Sequence, residues 1–339
     1  MRSKKILIAG GGGIGERHLR VFGRIPGVET SLCESRPERA AALQRDYAVK
    51  QVFTDYDAID LSAFDGIVIC TPAHLHIAMA TRAAERECPF LLEKPLSVTL
   101  DGCEGLIELI DKKRLVAGVA YVLRHVRGFV DMEQLIGAGK IGKVRTLTYE
   151  GGQYFPGIRP DYNNNYFSRI KTGGGVLFDF MTHAVNLFEW LNGREAEVSC
   201  FFDRLQLEKI ETDDVGFITI KYRNGPLGHL QQDAFRRDYF FHVTVVGSEG
   251  TLMFEYERNR LGYFPAGGAD WEWTTYTFER DDFFLAQALH FLKALDGEDS
   301  VRCTVSEAKW TLQVILAARQ SAQEKRHIQL ADSLVTISI

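Results

Sequence analysis

The chain is expected to fold as two α/β domains, and three observations carry that expectation. Short apolar runs alternate with helix-like stretches up to about residue 120, strand-like segments then follow one another, and 339 residues suit two domains better than one. The first rhythm predicts an N-terminal doubly wound parallel sheet of Rossmann type over residues 1–120. The second predicts a C-terminal α/β domain over residues 121–339 with a mainly antiparallel sheet.

In the first domain Ile6–Ala9, Val28–Cys33, Ile67–Cys70, Phe90–Leu92 and Leu115–Val119 are mostly apolar on both faces, as buried parallel strands are. Between the first two, Ile14, His18, Val21, Phe22 and Ile25 recur at helical spacing, and Pro37 opens a helix over 38–46 as a first-turn proline does. Beyond residue 121 the candidate strands are Val144–Glu150, Val198–Asp203, Val215–Tyr222, Phe240–Val246, Thr251–Phe254 and Glu272–Phe278. Asn224-Gly225 and Gly247–Gly250 supply turn signals. Two helices, Phe283–Leu295 and Ser306–Gln323, close the chain, with Ser306 as the candidate cap.

Composition bounds the function. With 45% hydrophobic and 25% charged residues the chain is an ordinary globular protein, which excludes disordered, collagenous and coiled-coil classes. A net charge of -5, spread along the chain, argues against nucleic acid or an anionic membrane as partner. The six cysteines form no Cys-x-x-Cys pair, so neither a zinc ribbon nor a dithiol redox motif is written here, and no His/Asp/Glu set has metal-ligand spacing. Free buried thiols point to a reducing compartment. The apolar run after the basic start, Ile6–Ala9, is too short for a signal peptide, so a cytoplasmic protein is expected.

Three motifs carry chemistry. Gly10-x-Gly12-x-x-Gly15, with Gly13 and Ile14 inside it, follows the first strand and opens the first helix, where backbone amides can approach a pyrophosphate. Glu34 stands 19 residues beyond Gly15, at the end of the second strand, where an acidic group takes ribose hydroxyls. NAD is therefore the expected cofactor, while Ser35 and Arg36 leave NADP as the second option. Glu93-Lys94-Pro95 lies at the carboxyl edge of the parallel sheet, where such sheets bind ligands. Gly173-Gly174-Gly175 precedes Asp179 and, four residues on, His183, in an otherwise apolar helical segment where both need partners or a task. The bland alternatives are a solvated turn at Lys94 and a satisfied core histidine at position 183.

Taken in order, Gly10-x-Gly12-x-x-Gly15-x-x-His18, Cys70-Thr71-Pro72-x-x-x-His76, Glu93-Lys94-Pro95 and Gly173-Gly174-Gly175 with Asp179 and His183 resemble the glucose-fructose oxidoreductase, inositol dehydrogenase and rhizopine-catabolism (Gfo/Idh/MocA) family. The resemblance covers nearly the whole chain. It implies a Rossmann domain, a second domain with a large open sheet, NAD(P)-dependent oxidation or reduction of sugars and polyols, and homodimers or homotetramers formed through that sheet. It places Lys94, Asp179 and His183 at catalytic positions and implies a cis bond before Pro95. Thr71, Pro72, His76, Glu93 and Lys94 then join Gly10, Gly12, Gly13, Ile14, Gly15, Glu34 and Arg36 as cofactor contacts.

The residue types suit that chemistry. Hydride leaves a carbinol carbon only as the hydroxyl proton is removed, and a base with a pKa near neutrality does this best. His183 is the candidate base, Lys94 hydrogen-bonds the same oxygen and stabilises developing negative charge, and Asp179 orients the base or the substrate. Because Lys94 and His183 fall in different domains, the boundary is the expected active-site cleft. Tyr154, Arg159, Tyr166 and Arg169 in a polar, aromatic loop, with Arg124, are the expected contacts to a sugar-like substrate. His125 departs from the aromatic residue usual beside Arg124 in relatives. His18 is expected to pack under the glycine loop, and Arg236-Arg237-Asp238 reads as a solvated turn, with a strand-end position that brings Arg236 to the cleft as the alternative. Two further readings remain open: a glycosidase that uses NAD transiently through oxidation and elimination, and a non-catalytic dinucleotide sensor.

Overall fold

The computed structural model describes residues 3–331; Met1 and Arg2 of the basic start lie outside them. The chain forms two compact units. One comprises residues 3–125 and 279–309, the other 126–278 and 310–331. The 279–309 segment therefore returns to the first unit, where a single division at residue 120 assigns it to the second.

The first unit is built on a six-stranded sheet of order β3-β2-β1-β4-β5-β6, all parallel. Its strands are β1 (Lys4–Ala9), β2 (Val28–Cys33), β3 (Val52–Phe53), β4 (Gly66–Ile69), β5 (Phe90–Leu92) and β6 (Ala117–Val119). Helices α1 (Gly13–Phe22), α2 (Pro37–Asp46), α3 (His76–Glu85) and α4 (Cys103–Lys113) connect them. Ile6, Leu7, Ile8, Ile67, Val68, Ile69, Phe90 and Leu92 are fully buried, which is why these strands read as unbroken apolar runs. The sheet's order reverses between β1 and β4, and the glycine loop leaves β1 at that switch point.

The second unit opens with α5 (Arg127–Gly137), β7 (Val144–Tyr154) and the one-turn α6 (Phe155–Ile158). It continues through α7 (Thr182–Asn192), β8 (Glu195–Asp203), β9 (Val215–Tyr222), β10 (Leu227–Asp233), β11 (Phe235–Gly247), β12 (Gly250–Glu255), β13 (Arg260–Pro265) and β14 (Glu272–Thr275). Then α8 (Arg280–Leu295) packs on α1 in the first unit, α9 (Val305–Glu324) follows, and β15 (Ile328–Gln329) returns to the second sheet. That sheet has nine strands in the order β14-β13-β12-β11-β7-β10-β9-β8-β15, antiparallel throughout except for β7 with β10. Strands β10, β13 and β15 are absent from the sequence expectation. One face buries Leu147, Tyr149, Ile218, Ile220, Leu230, Val243 and Val245; the other leaves Phe201, Phe217, Leu227 and Val246 exposed.

The expected cap of the last helix shifts by two residues. Thr304 Oγ1 accepts the Glu307 amide at 3.1 Å while Glu307 Oε2 accepts the Thr304 amide at 2.8 Å, a reciprocal capping box, and Ser306 lies inside the helix.

Candidate active site

In the first unit each glycine of the loop has its own reason. Gly10 adopts φ +106°, and a Cβ there would stand 2.7 Å from the Cys70 carbonyl oxygen; at Gly15 it would stand 1.8 Å from the Gly10 carbonyl oxygen. Only glycine allows that turn and that close packing of helix on strand. A Cβ on Gly12 would meet nothing within 4 Å, so this side of the loop is open. The first α1 bond runs from the Glu16 amide to the Gly12 carbonyl, and no side chain caps the helix. The amides ahead of Glu16 in the first turn thus have no helical acceptor, as an anion site at a helix N-terminus requires. A dinucleotide's pyrophosphate fits this cradle.

Glu34 directly follows β2, with its side chain 5% exposed. Its Oε2 accepts the Gly11 amide at 2.8 Å, and Arg36 holds both oxygens through its amide and guanidinium. Burial raises the Glu34 carboxyl, but the Arg36 and Gly11 donors outweigh it and hold the group below its ordinary range. Arg39, a residue with no motif to reveal it, fixes the loop from below. Its Nε donates to the Gly11 carbonyl at 2.8 Å and its Nη2 to Glu16 at 2.6 Å.

The turns after β4 and β5 are tied together. Buried His76 faces the Pro95 carbonyl through Nδ1 and the Thr71 carbonyl through Nε2, each at 2.8 Å. Buried Glu93 takes His18 Nε2 on Oε1 at 2.7 Å and the Lys94 amide on Oε2 at 3.2 Å. His76 and Glu93, expected as direct cofactor contacts, thus sit behind the surface and support the turns of Thr71 and Lys94. The expected packing of His18 under the glycine loop becomes a link from α1 to the Lys94 turn. The Lys94–Pro95 bond is cis, and Lys94 itself is half-buried.

Arg124 is also placed differently from its expectation as a substrate reader. It is 1% exposed, and its Nη1 donates to Glu307 Oε1 at 2.7 Å and to the Arg302 carbonyl at 2.6 Å, all within the first unit. Its neighbour His125 is half-buried with its ring 5.4 Å from that of His290.

In the second unit an aromatic core positions the segment that bears Asp179. Phe155, Phe167 and Phe180 meet at ring distances of 4.3–5.9 Å, joining α6, the loop after it and the segment that bears Asp179. The three glycines ahead of that segment are required: Gly173 and Gly175 adopt φ +78° and +85°, and a Cβ on Gly174 would stand 2.2 Å from the Phe167 carbonyl oxygen. Asp213 Oδ2 then accepts the Leu177 amide at 2.8 Å. The chain does not continue as a plain α-helix here. Leu177–Met181 forms a π turn and α7 starts only at Thr182, so the α-helical spacing expected between Asp179 and His183 is interrupted by a feature that recurs at functional sites.

Asp179 is buried and accepts the Tyr166 hydroxyl at 2.9 Å, while His183 is half-buried at the start of α7. Arg159 and Arg169 are exposed on the loop. Arg237 is a contact the sequence did not reveal. Residues 236–239 lie at a register break within β11, between Phe235 and Phe240, and the Arg237 guanidinium stacks 3.8 Å from the centroid of the Tyr154 ring. The expected solvated turn is thus a bulged strand segment, of the kind that re-aims side chains beside sites. Among the described residues no group of three or more His, Cys, Asp or Glu is arranged to hold a metal ion, and no helix is long and apolar enough to cross a membrane.

Comparison with known proteins decides the lineage. Residues 4–121 match the model of an oxidoreductase family with an NAD-binding Rossmann fold, and residues 129–253 match the Gfo/Idh/MocA C-terminal domain. The chain belongs to the Gfo/Idh/MocA family. Within that family it is an NAD-binding oxidoreductase. Similar Gfo/Idh/MocA proteins include levoglucosan dehydrogenase from Pseudarthrobacter phenanthrenivorans, 24% identical over 76% of this chain and 75% of the relative. Another is scyllo-inositol 2-dehydrogenase (NAD(+)) from Bacillus subtilis, 23% identical over 95% of each chain. Among solved structures, levoglucosan dehydrogenase in complex with NADH and L-sorbose superposes with a TM-score of 0.90 at 20% identity, over 98% of this chain and 100% of that one. The shared fold is that of the Gfo/Idh/MocA oxidoreductases, with its parallel and mainly antiparallel sheets.

Proposed function

We propose that this protein is an NAD-dependent dehydrogenase or reductase of a sugar, polyol or nucleotide-linked sugar. The observation that carries the reading is a buried carboxylate, Asp179, hydrogen-bonded by Tyr166 on the π turn ahead of His183, in a chain that also carries a complete glycine cradle and Glu34. Curated relatives named as levoglucosan and inositol dehydrogenases support the substrate class.

Bound NAD supplies the hydride acceptor for the carbinol carbon. His183 takes the hydroxyl proton in oxidation and returns it in reduction. Lys94 hydrogen-bonds the same oxygen and stabilises the negative charge that develops on it. Asp179 orients the acid–base group, and Tyr166 holds Asp179. Gly10, Gly12, Gly13, Ile14 and Gly15 hold the pyrophosphate, Thr71 and Pro72 line the sheet edge, and Glu34 receives the adenosine ribose and favours NAD over NADP. Tyr154, Arg159 and Arg169 contact the substrate. A sensor has no need of such an acid–base cluster.

The test is a panel of sugars, sugar acids and nucleotide sugars screened with NAD and NADP for a change in nicotinamide absorbance. His183→Ala and Lys94→Ala are each expected to lower kcat by about 10²-fold or more on the substrate found. Wild-type turnover in either variant removes the mechanism, glycoside cleavage without net NADH indicates a glycosidase, and tight binding without turnover indicates a sensor. We place the protein in the cytoplasm, because its six free, buried thiols suit a reducing compartment. It self-associates through the open face of the nine-stranded sheet, where Phe201 is 77% and Leu227 53% exposed.

A further inference from the structure

We propose that Arg36 competes with the adenosine ribose for Glu34, and that this competition sets how strongly NAD is preferred over NADP. The inference rests on the reading that Glu34 receives the ribose.

A carboxylate offers about four acceptor positions, and at Glu34 four donors occupy it. Oε1 accepts the Arg36 amide at 3.0 Å and Arg36 Nε at 2.8 Å; Oε2 accepts the Gly11 amide at 2.8 Å and Arg36 Nη2 at 3.0 Å. The two amides are fixtures of the fold. Gly11 belongs to the loop after β1, where a Cβ would lie 2.7 Å from Glu34 Oε2, and the Arg36 amide is only two residues along the chain. The two guanidinium bonds are different, because the Arg36 side chain is 65% exposed and can swing into solvent without disturbing the backbone that holds Glu34.

A ribose diol donates two hydroxyls to such a carboxylate. The positions it needs are those the guanidinium fills, so NAD binds by exchange: the guanidinium leaves and the diol enters. A 2'-phosphate has no such hydroxyl to donate there and carries negative charge, which Glu34 repels and Arg36 attracts. One side chain therefore acts in opposite directions on the two cofactors. Arg39 does not substitute for it, since its guanidinium is committed to the Gly11 carbonyl and to Glu16.

The experiment is direct titration of the full-length protein with NADH and with NADPH, followed by calorimetry. Arg36→Ala is expected to bind NADH about 2- to 5-fold tighter, the scale on which a surface ion pair competes, and NADPH about 10-fold weaker or more. Arg36→Lys, which keeps the charge without the fork, is expected to lie between wild type and Arg36→Ala. Glu34→Gln is expected to weaken NADH about 10-fold and strengthen NADPH. If Arg36→Ala weakens NADH, or leaves both cofactors unchanged, while Glu34→Gln still weakens NADH, the competition is overturned and Glu34 keeps its ribose. Should Glu34→Gln leave NADH binding unchanged, the ribose assignment itself fails.

Discussion

The Tyr166 hydroxyl meets Asp179 at 2.9 Å on a side chain that is otherwise 44% exposed, so an aromatic group on the loop reaches in to a buried carboxylate. A hydrogen bond to a charged acceptor is worth about 1.5–3 kcal/mol. Tyr166→Phe is expected to lower kcat about tenfold, with a smaller change in KM, in steady-state assays on the sugar that the panel identifies. An unchanged kcat would make Tyr166 a loop residue with no part in holding Asp179. Other residues show where spacing stops being informative. His76 and Glu93, expected as cofactor contacts, and Arg124, expected as a substrate contact, are all buried and hold turns or helices of the first unit. A sequence shows that a polar side chain stands near a sheet edge, but not whether it points towards the ligand or into the support behind it.

Elements were legible where burial is two-sided or alternates along the strand. Val28–Cys33, Phe90–Leu92 and Val215–Tyr222 are observed with the expected bounds, because sheets covered by helices or alternating in burial write their pattern into the chain. β10, Leu-Gly-His-Leu-Gln-Gln-Asp, has a glycine and no β-branched residue, and β13 ends on a proline. Both form because strands pair with them on either side, β7 and β9 in one case, β12 and β14 in the other. The π turn through Asp179 leaves no mark on residue spacing. By contrast, the Thr304-Val-Ser-Glu307 box was there to be read and gives the better cap. On the open face of the nine-stranded sheet Phe201 pairs with Phe217, and Leu227 and Val246 both flank Thr146. On the self-association proposed for this face, Phe201→Glu is expected to reduce the particle mass in solution, read by light scattering after size exclusion, without loss of far-ultraviolet circular dichroism. An oligomer of wild-type mass in that variant would place the interface elsewhere.

For the molecule as a whole, pH acts in opposite directions through buried carboxyls and through carboxyls paired with arginine. Glu195 is fully buried; Trp310 Nε1 donates to its Oε2 at 2.7 Å, and its Oε1 has no hydrogen-bond partner among the described residues. Burial pushes Glu195 up to about 7 and Asp213 up to about 6, above ordinary values of 4.5 and 3.8. The folded state therefore holds these protons more tightly than the unfolded chain does. Their contribution is fully present below the unfolded values and is lost as pH rises through about 6 to 7. The opposite holds for Glu16, Asp281, Glu255 and Glu307: arginine partners overcome burial and hold them low, so their contribution is lost on acidification. Glu195→Gln is expected to gain about 1–2 kcal/mol relative to wild type between pH 5 and pH 8 in urea titrations. A pH-independent difference would mean that Glu195 carries no such shift.

The six cysteines complete the picture at this scale. Cys33, Cys70, Cys88, Cys103, Cys200 and Cys303 are all free and all buried, spread over both units. Burial pushes Cys33 up to about 11 and Cys88, Cys103 and Cys200 up to about 12, with Cys70 also well above its ordinary value. Thiolate, the form that alkylating reagents attack, is therefore scarce in the native state. A single cysteine introduced on the surface takes a fluorophore or spin label selectively against this silent background. The native thiols, in turn, report by their labelling rate how often each unit opens to solvent.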